Sequence, residues 1–567
     1  MGKPGKPGFH TYKAKKKDFD THFIHFIFYS FMKKLLMAAF AAALITSCSK
    51  DGTEGGPIHE SGNYDVAYLS LSVKAPEAPS PVRASTEDPA TAPESAVKTL
   101  YAITFDVNGQ VVAYKTEPIA KELTVSDNAG AGTTHAPDAF KVSQAAKYLL
   151  IVANPGPKFK AEIGNMVQGT SFSALNAAVK VATIDEINDQ GNTYAGGFTM
   201  INAGDDRNMD DEIVGLEALI DISGNIEAVG DGAHATEAEA KSAAEGNRAT
   251  IKIERLSSKL YVAEDGNIEV LPAGATFTFD RWVLDAVNTT FYPWAEKVLS
   301  ITSHASGFYT KNFYTIDPNF DDFAGLAYNT VNPVTFAPEI HASNPTTWAV
   351  SGAGNIAYAI ENTMDGSKQT VGGATRVVIR GTYYPDTYAD GTDWFNFAGT
   401  NYETLAILQT AYAGPKNVNL ITACDNMFAK IKAYAQANTI VLTGTNFATL
   451  TQTDLNNIPN GGEIVKENPN CIRWFQKGLC YYNYSIRHNN DPAAGVQEFG
   501  KYGVVRNNYY ALTLNKVNGP GTPWYPDINN PGPGDPDPKD PIDKSAGYLG
   551  VNVEIGPWVK WTTDFEI

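Results

Sequence analysis

Between Tyr64 and Val73 the chain alternates, with Ala67, Leu69, Leu71 and Val73 on one side and Val66, Tyr68, Ser70 and Ser72 on the other. That two-residue period is the signature of a strand with one buried face. It returns from Leu100 to Lys115, through Ile103, Phe105 and Val107 to Asn108-Gly109 and back through Val111 and Val112, which predicts a hairpin. Further strands are expected at 147–155, 198–202, 251–262, 276–287, 377–382, 480–486 and 509–515. Helical patterns are few and short: 172–179, 401–410 and 425–437, with an Ala/Glu-rich stretch at 235–245 that reads as either a helical or a loop insertion. Near the end, Tyr548 to Ile555 alternates cleanly once more, with Leu549, Val551, Val553 and Ile555 on one face and a last short strand from Val559. The fold expected is all-β.

Two unpatterned stretches isolate these outer strands. Residues 75–93 are rich in Pro, Ala, Ser and Thr and lack a face to bury, so Arg83-Ala84 falls in an extended loop open to proteases. Residues 519–541 hold eight prolines and four glycines and read as an extended or loosely turned linker. A fresh set of strands begins near Arg248. The expected organisation is therefore an address segment at 1–47, a propeptide with a removable first strand at 48–83, a β-sandwich at 84–248, a second at 249–518, a linker at 519–547 and a terminal strand at 548–567.

Met32-Lys33-Lys34 and the apolar run Leu35 to Ile45 form the charged and hydrophobic regions of a secretory signal too short to span a bilayer. Leu44-Ile45-Thr46-Ser47-Cys48 has the form of a bacterial lipobox, which predicts acylation of Cys48 and a surface-exposed outer-membrane lipoprotein precursor, with Ser49-Lys50-Asp51 similar to a surface-export tag. The basic and aromatic residues before Met32 leave two starts open: from Met32 they do not exist, and from Met1 they lengthen the apolar segment, which could then be an uncleaved anchor.

Composition narrows the function. The formal charge is −18 and the basic residues crowd the beginning, so the remaining body repels phosphate backbones and no nucleic-acid partner is expected. Cys424, Cys471 and Cys480 form no CxxC pair; Cys471 and Cys480 are either a hairpin bridge or buried thiols. Asp206, Asn208, Asp210 and Glu217 stand at positions 1, 3, 5 and 12 of a calcium-loop pattern, but Asp211 replaces the turn glycine, so a solvated acidic loop is preferred and neither metal nor cofactor is expected. Nine scattered histidines include no HExxH, and there is no GxSxG, Walker loop or dinucleotide fingerprint. The chain is not expected to be an enzyme.

A strand removable at one end and a tethered strand at the other suggest strand replacement. Leu69, Leu71 and Val73 of the removable strand present the same kind of face as Leu549, Val551, Val553 and Ile555 of the terminal one, which would act as donor to a neighbour. Losing a strand exposes a sheet edge and a row of apolar pockets, and a strand supplied by the next subunit gives a heterologous contact that propagates as a filament. Four buried aliphatic side chains contribute roughly 6 to 10 kcal/mol from burial.

Val504-Val505-Arg506-Asn507-Asn508-Tyr509-Tyr510-Ala511-Leu512-Thr513-Leu514 resembles a segment of the FimA/Mfa-type fimbrillin family of Bacteroidetes. Ile253-Glu254-Arg255-Leu256-Ser257-Ser258-Lys259, Arg281-Trp282-Val283-Leu284 and Val551-Asn552-Val553-Glu554-Ile555-Gly556-Pro557-Trp558 are similar to family segments in the same order, and the resemblance runs from Cys48 to Ile567. It implies two transthyretin-like β-sandwich domains, removal of the first strand by an Arg-specific protease at Arg83-Ala84, and donor-strand polymerisation with copies of itself and related subunits. A fimbria supporting adhesion and biofilm formation is the function it implies. Residues 305–370 depart from the pattern, so a tip or anchor subunit is the alternative. A glycan-binding surface lipoprotein, using Trp282, Trp294, Trp394, Trp474, Trp524, Trp558 or Trp561 as sugar platforms, is another.

Overall fold

The computed structural model describes the chain from Val66 to Pro557, apart from 76–91, 126–133, 189–196, 203–214, 299–313, 321–335, 338–355, 489–496, 545–548 and some shorter gaps. Strands dominate, and they gather into two sandwiches within one compact unit.

In the N-terminal half, a long sheet runs in the order Lys121–Leu123, Leu100–Phe105, Tyr148–Ala153, Met200–Asn202, Ala249–Arg255, Leu71–Lys74 and Thr134–His135. A smaller sheet sets Val66–Leu69 between Glu227–Ala228 and Phe140–Ser143. Leu69, Leu71, Leu100, Phe140, Val142, Leu149, Ile151 and Ile251 pack in one core. The opposite face of the long sheet is covered as well, by Phe159, Ile163, Phe172 and, from later in the chain, Phe291 and Trp294. Burial on both faces explains why Leu100–Phe105 and Tyr148–Ala153 read as nearly continuous apolar runs.

The C-terminal half repeats the scheme. Its six-stranded sheet has the order Phe336–Ala337, Val287–Asn288, Ile356–Ile360, Ser257–Val270, Asn508–Val517, Leu549–Pro557. It faces a three-stranded sheet of Thr276–Asp285, Arg376–Tyr384 and Leu479–Ser485 across a core of Leu260, Trp282, Leu284, Ile379, Tyr482, Tyr510 and Leu512.

Four sequence expectations change. The stretch from Tyr64 is not one continuous strand but two, Val66–Leu69 and Leu71–Lys74, because the chain leaves one sheet for the other at Ser70. The hairpin at 100–115 keeps its first arm and a tight turn, but the return is a single bridge from Val111 to Phe105. Strand partners change at Leu256 rather than near Arg248: Ala249–Arg255 pairs within the first sandwich and Ser257–Val270 within the second. Of the predicted helices near 401–437, the first is shifted to Leu405–Ala413 and the second lengthens to the 20-residue Val418–Ala437, and with Gln452–Asn456 and Gly461–Val465 they build a module over Phe395, Ile472 and Trp474. Val418–Ala437 holds because Asn417 caps it and Leu420, Cys424, Met427 and Ile431 recur on one face.

Candidate functional site

Leu69, Leu71 and Val73 lie fully buried in the N-terminal core together with Ala67. The two short strands that carry them are interior strands. Val66–Leu69 is flanked on both sides by antiparallel neighbours, and Leu71–Lys74 lies parallel to Ala249–Arg255 and antiparallel to Thr134–His135. At the crossing, Ser70 is completely enclosed and its carbonyl accepts the Ala249 amide at 2.9 Å, while Arg248 Nη1 donates to the Leu71 carbonyl at 3.1 Å. On the outer side, the Tyr68 hydroxyl donates to Glu237 Oε2 at 2.7 Å, and Lys141 Nζ lies 3.0 Å from the same oxygen. Glu237 is placed there by a helix, Glu237–Gly246, opened by a Thr236/Glu239 capping box. The carboxyl of Glu237 is held below its usual range by the Tyr68 hydroxyl first and Lys141 second. Taking residues 66–74 away would leave a cleft between two strands in each sheet.

Cys48, Arg83 and Ala84 lie outside the described residues, as do Asp206, Asn208 and Asp210 of the calcium-loop pattern; Glu217 sits in a short 3-10 turn, Gly215–Ala218. Among the described residues no group of three His, Cys, Asp or Glu side chains could hold a metal ion, and no helix is long and apolar enough to cross a membrane. Cys424, Cys471 and Cys480 are buried free thiols, so the hairpin-bridge alternative for Cys471 and Cys480 falls. Burial pushes the Cys424 and Cys480 thiols up to about 12, which keeps them protonated and unreactive.

The terminal segment Leu549–Pro557 forms the outermost strand of the six-stranded sheet, antiparallel to Asn508–Val517, with Val551 across from Leu514 and Ile555 across from Tyr510. The Pro/Gly-rich stretch before it is not the loose linker expected. It is a strap packed along the second sandwich. Thr522 exchanges two backbone hydrogen bonds with Tyr481, at 2.8 and 2.9 Å, and Val371 donates its amide to the Asp540 carbonyl at 3.0 Å. Trp524 and Tyr525 are buried, and the Trp524 indole donates to Asp535 at 2.8 Å. Its glycines serve close approach: a Cβ on Gly521 would stand 2.1 Å from the Tyr481 carbonyl oxygen, and one on Gly532 would stand 2.2 Å from Trp524 Nε1. The strap ends where Asp543 accepts from Lys501 Nζ at 2.8 Å and from the Tyr502 hydroxyl at 2.8 Å.

Sequence reasoning missed a buried polar junction where the two sandwiches meet. Glu94, on the Ala92–Ser95 turn, accepts Lys259 Nζ at 2.8 Å and the Tyr358 hydroxyl. Arg255 donates from Nε to the Glu94 carbonyl at 2.7 Å and from Nη2 to Ser95 Oγ at 2.8 Å, and burial lowers its pKa to about 10. The signal available was a buried-strand pattern ending on a charge, Ile253-Glu254-Arg255. The Val504 to Leu514 motif is structural too. Arg506 pairs with Glu361 and donates to the Pro293 and Tyr292 carbonyls at 3.0 and 2.7 Å, and Asn507 takes a left-handed turn at φ 56° that sends its amide to the Ser257 carbonyl.

Two family models match the chain. Residues 67–215 match the model of the major fimbrial subunit protein (FimA), and residues 473–564 match that of the major fimbrial subunit protein type IV, fimbrillin, C-terminal. No curated protein matches significantly. Among solved structures, one described as a cell adhesion protein from Parabacteroides distasonis is 12% identical, with 89% of this chain and 100% of that chain covered at a TM-score of 0.40. A fimbrilin from Porphyromonas gingivalis is 14% identical over 88% of this chain and 98% of its own, at 0.35. The tip fimbrial protein Mfa3 from Porphyromonas gingivalis, truncated at its C-terminus, is 14% identical over 79% and 95%, at 0.28.

Proposed function

The chain belongs to the fimbrillin family of structural, non-enzymatic fimbrial subunits, and from that membership we propose that it is a shaft subunit polymerising by donor-strand exchange. In this reading the precursor is exported as an outer-membrane lipoprotein acylated on Cys48. An Arg-specific protease then cuts between Arg83 and Ala84, residues 66–74 depart, and the terminal strand of the next copy, with Leu549, Val551, Val553 and Ile555 inward, fills the vacated cleft. The filament supports adhesion and biofilm formation.

The observation that carries the reading is the place of Leu69, Leu71 and Val73. They are fully buried on strands interior to both sheets, so their removal would open a cleft that one extended apolar segment fits. The outermost strand at the other end of the chain supplies that segment in this reading, because it pairs with one neighbour.

The test begins with protein starting at Ser49, treated with an Arg-specific protease, with the new N-terminus mapped and the product viewed by electron microscopy. Cleavage before Ala84 and filaments that vanish on deletion of 548–567 are expected. Clean cleavage with monomers alone would sink the shaft assignment and leave a tip subunit or a glycan-binding lipoprotein.

A further inference from the structure

We propose that the incoming strand from a second copy of this chain is read in one register, with Tyr548 in the place of Tyr68 and Gly550 in the place of Ser70. The inference rests on the strand-exchange reading above and specifies its partner residue by residue. Its first ground is the sequence of the two segments. Ala67-Tyr68-Leu69-Ser70-Leu71-Ser72-Val73 runs parallel in kind to Gly547-Tyr548-Leu549-Gly550-Val551-Asn552-Val553: small, tyrosine, leucine, small, aliphatic, small polar, valine.

The structure says why each of these positions matters. Position 67 is wholly enclosed and holds only a methyl group, which suits Gly547. At position 68 the cleft offers Glu237 Oε2 and Lys141 to a phenol hydroxyl. Position 70 is where the chain passes from one sheet to the other, fully buried, with its carbonyl on the Ala249 amide; a residue without a large side chain is required there, and glycine makes the sheet change easily. Positions 69, 71 and 73 are deep apolar sites, which Leu549, Val551 and Val553 fill.

Competing registers fail on the same sites. A shift by one residue turns every apolar side chain to the wrong face. A shift by two that sets Leu549 at position 67 forces leucine into a methyl-sized site, puts Asn552 at the closed crossing and leaves glycine opposite Glu237 and Lys141. The opposite double shift sets Tyr548 at the fully enclosed crossing, position 70, and glycine in the deep apolar site at position 69. The favoured register also brings Glu554 to position 74, across from Lys252, where the chain's own strand places Lys74. Opposite charges facing across strands replace like ones, which favours the incoming strand over the resident one. Ile555 then falls at position 75, just past the end of Leu71–Lys74, where the buried Ala75 it succeeds fills only a methyl-sized site, so this is the one position that the register strains.

Paired cysteines distinguish the registers. Thr250 is exposed and lies across from position 72, so Thr250→Cys with Asn552→Cys should give an intermolecular disulfide ladder in processed, polymerised protein under mild oxidation. Thr250→Cys with Glu554→Cys should give none. The reverse pattern would overturn this register while leaving strand exchange intact. Filaments without a ladder from either pair would overturn it by showing that another register or another segment fills the cleft. Failure of the unsubstituted processed protein to form filaments would remove the strand-exchange reading itself, and this register with it.

Discussion

Glu94 is the residue on which the junction between the sandwiches turns. Its carboxylate is buried against Lys259, with Arg255 bound to the backbone and hydroxyl of the same turn. Glu94→Ala would leave the Lys259 ammonium enclosed without that carboxylate, and a loss of about 3–5 kcal/mol in urea unfolding is expected; a loss below about 1 kcal/mol would mean that water reaches the site. His488 gives a pH-dependent counterpart. Burial lowers its pKa to about 3, and its Nδ1 lies 2.8 Å from the Tyr510 hydroxyl. Between that value and the ordinary histidine range near 6.5, the unfolded chain binds the proton that the folded chain refuses. Its contribution to stability is therefore full above about 6.5 and drains away as the pH falls, by up to about 1.4 kcal/mol per unit. Unfolding of His488→Gln compared with the parent at pH 7 and pH 5 should show the smaller acid loss in the variant. Neither role was visible beforehand: Glu94 sits in a stretch without pattern, and His488 is one of nine scattered histidines.

At the scale of elements, the alternation from Val66 to Val73 correctly marked Ala67, Leu69, Leu71 and Val73 as inward-facing. It did not mark the break at Ser70, because alternation continues unchanged while the neighbours that make the hydrogen bonds change from Phe140–Ser143 to Ala249–Arg255. Leu71→Ala should destabilise the uncleaved protein by about 2–5 kcal/mol. After cleavage at Arg83 and polymerisation, the same substitution should have no effect on filament dissociation, since the segment is gone; a persistent effect would show that residues 66–74 stay in place.

Across the whole molecule, the strap from Gly519 to Lys544 decides how far the terminal strand can travel. With Asp543 anchored to Lys501 and Tyr502, two residues separate Lys544 from Gly547, where the proposed register begins, a reach of about 10 Å when extended. If strands exchange as proposed, the neighbour's cleft must open close to that anchor, giving a tightly spaced filament rather than beads on a string. Trp524→Ala should free the strap, cost about 3–5 kcal/mol in unfolding of the monomer, and loosen subunit spacing in electron micrographs. Unchanged stability would mean that the strap contributes nothing to the fold.

The sequence by itself determined the strand-rich character, the inward face of the first strands, and the family motifs, because periodicity and local residue type are written along the chain. Only the tertiary structure decided the sheet change at Ser70, the meeting of Glu94 with Lys259 and the docking of the Pro/Gly stretch. Each depends on which distant segment lies alongside. A glycine that admits a tryptophan ring is spelled the same way as one that lets a linker bend, and Gly532 is the first kind.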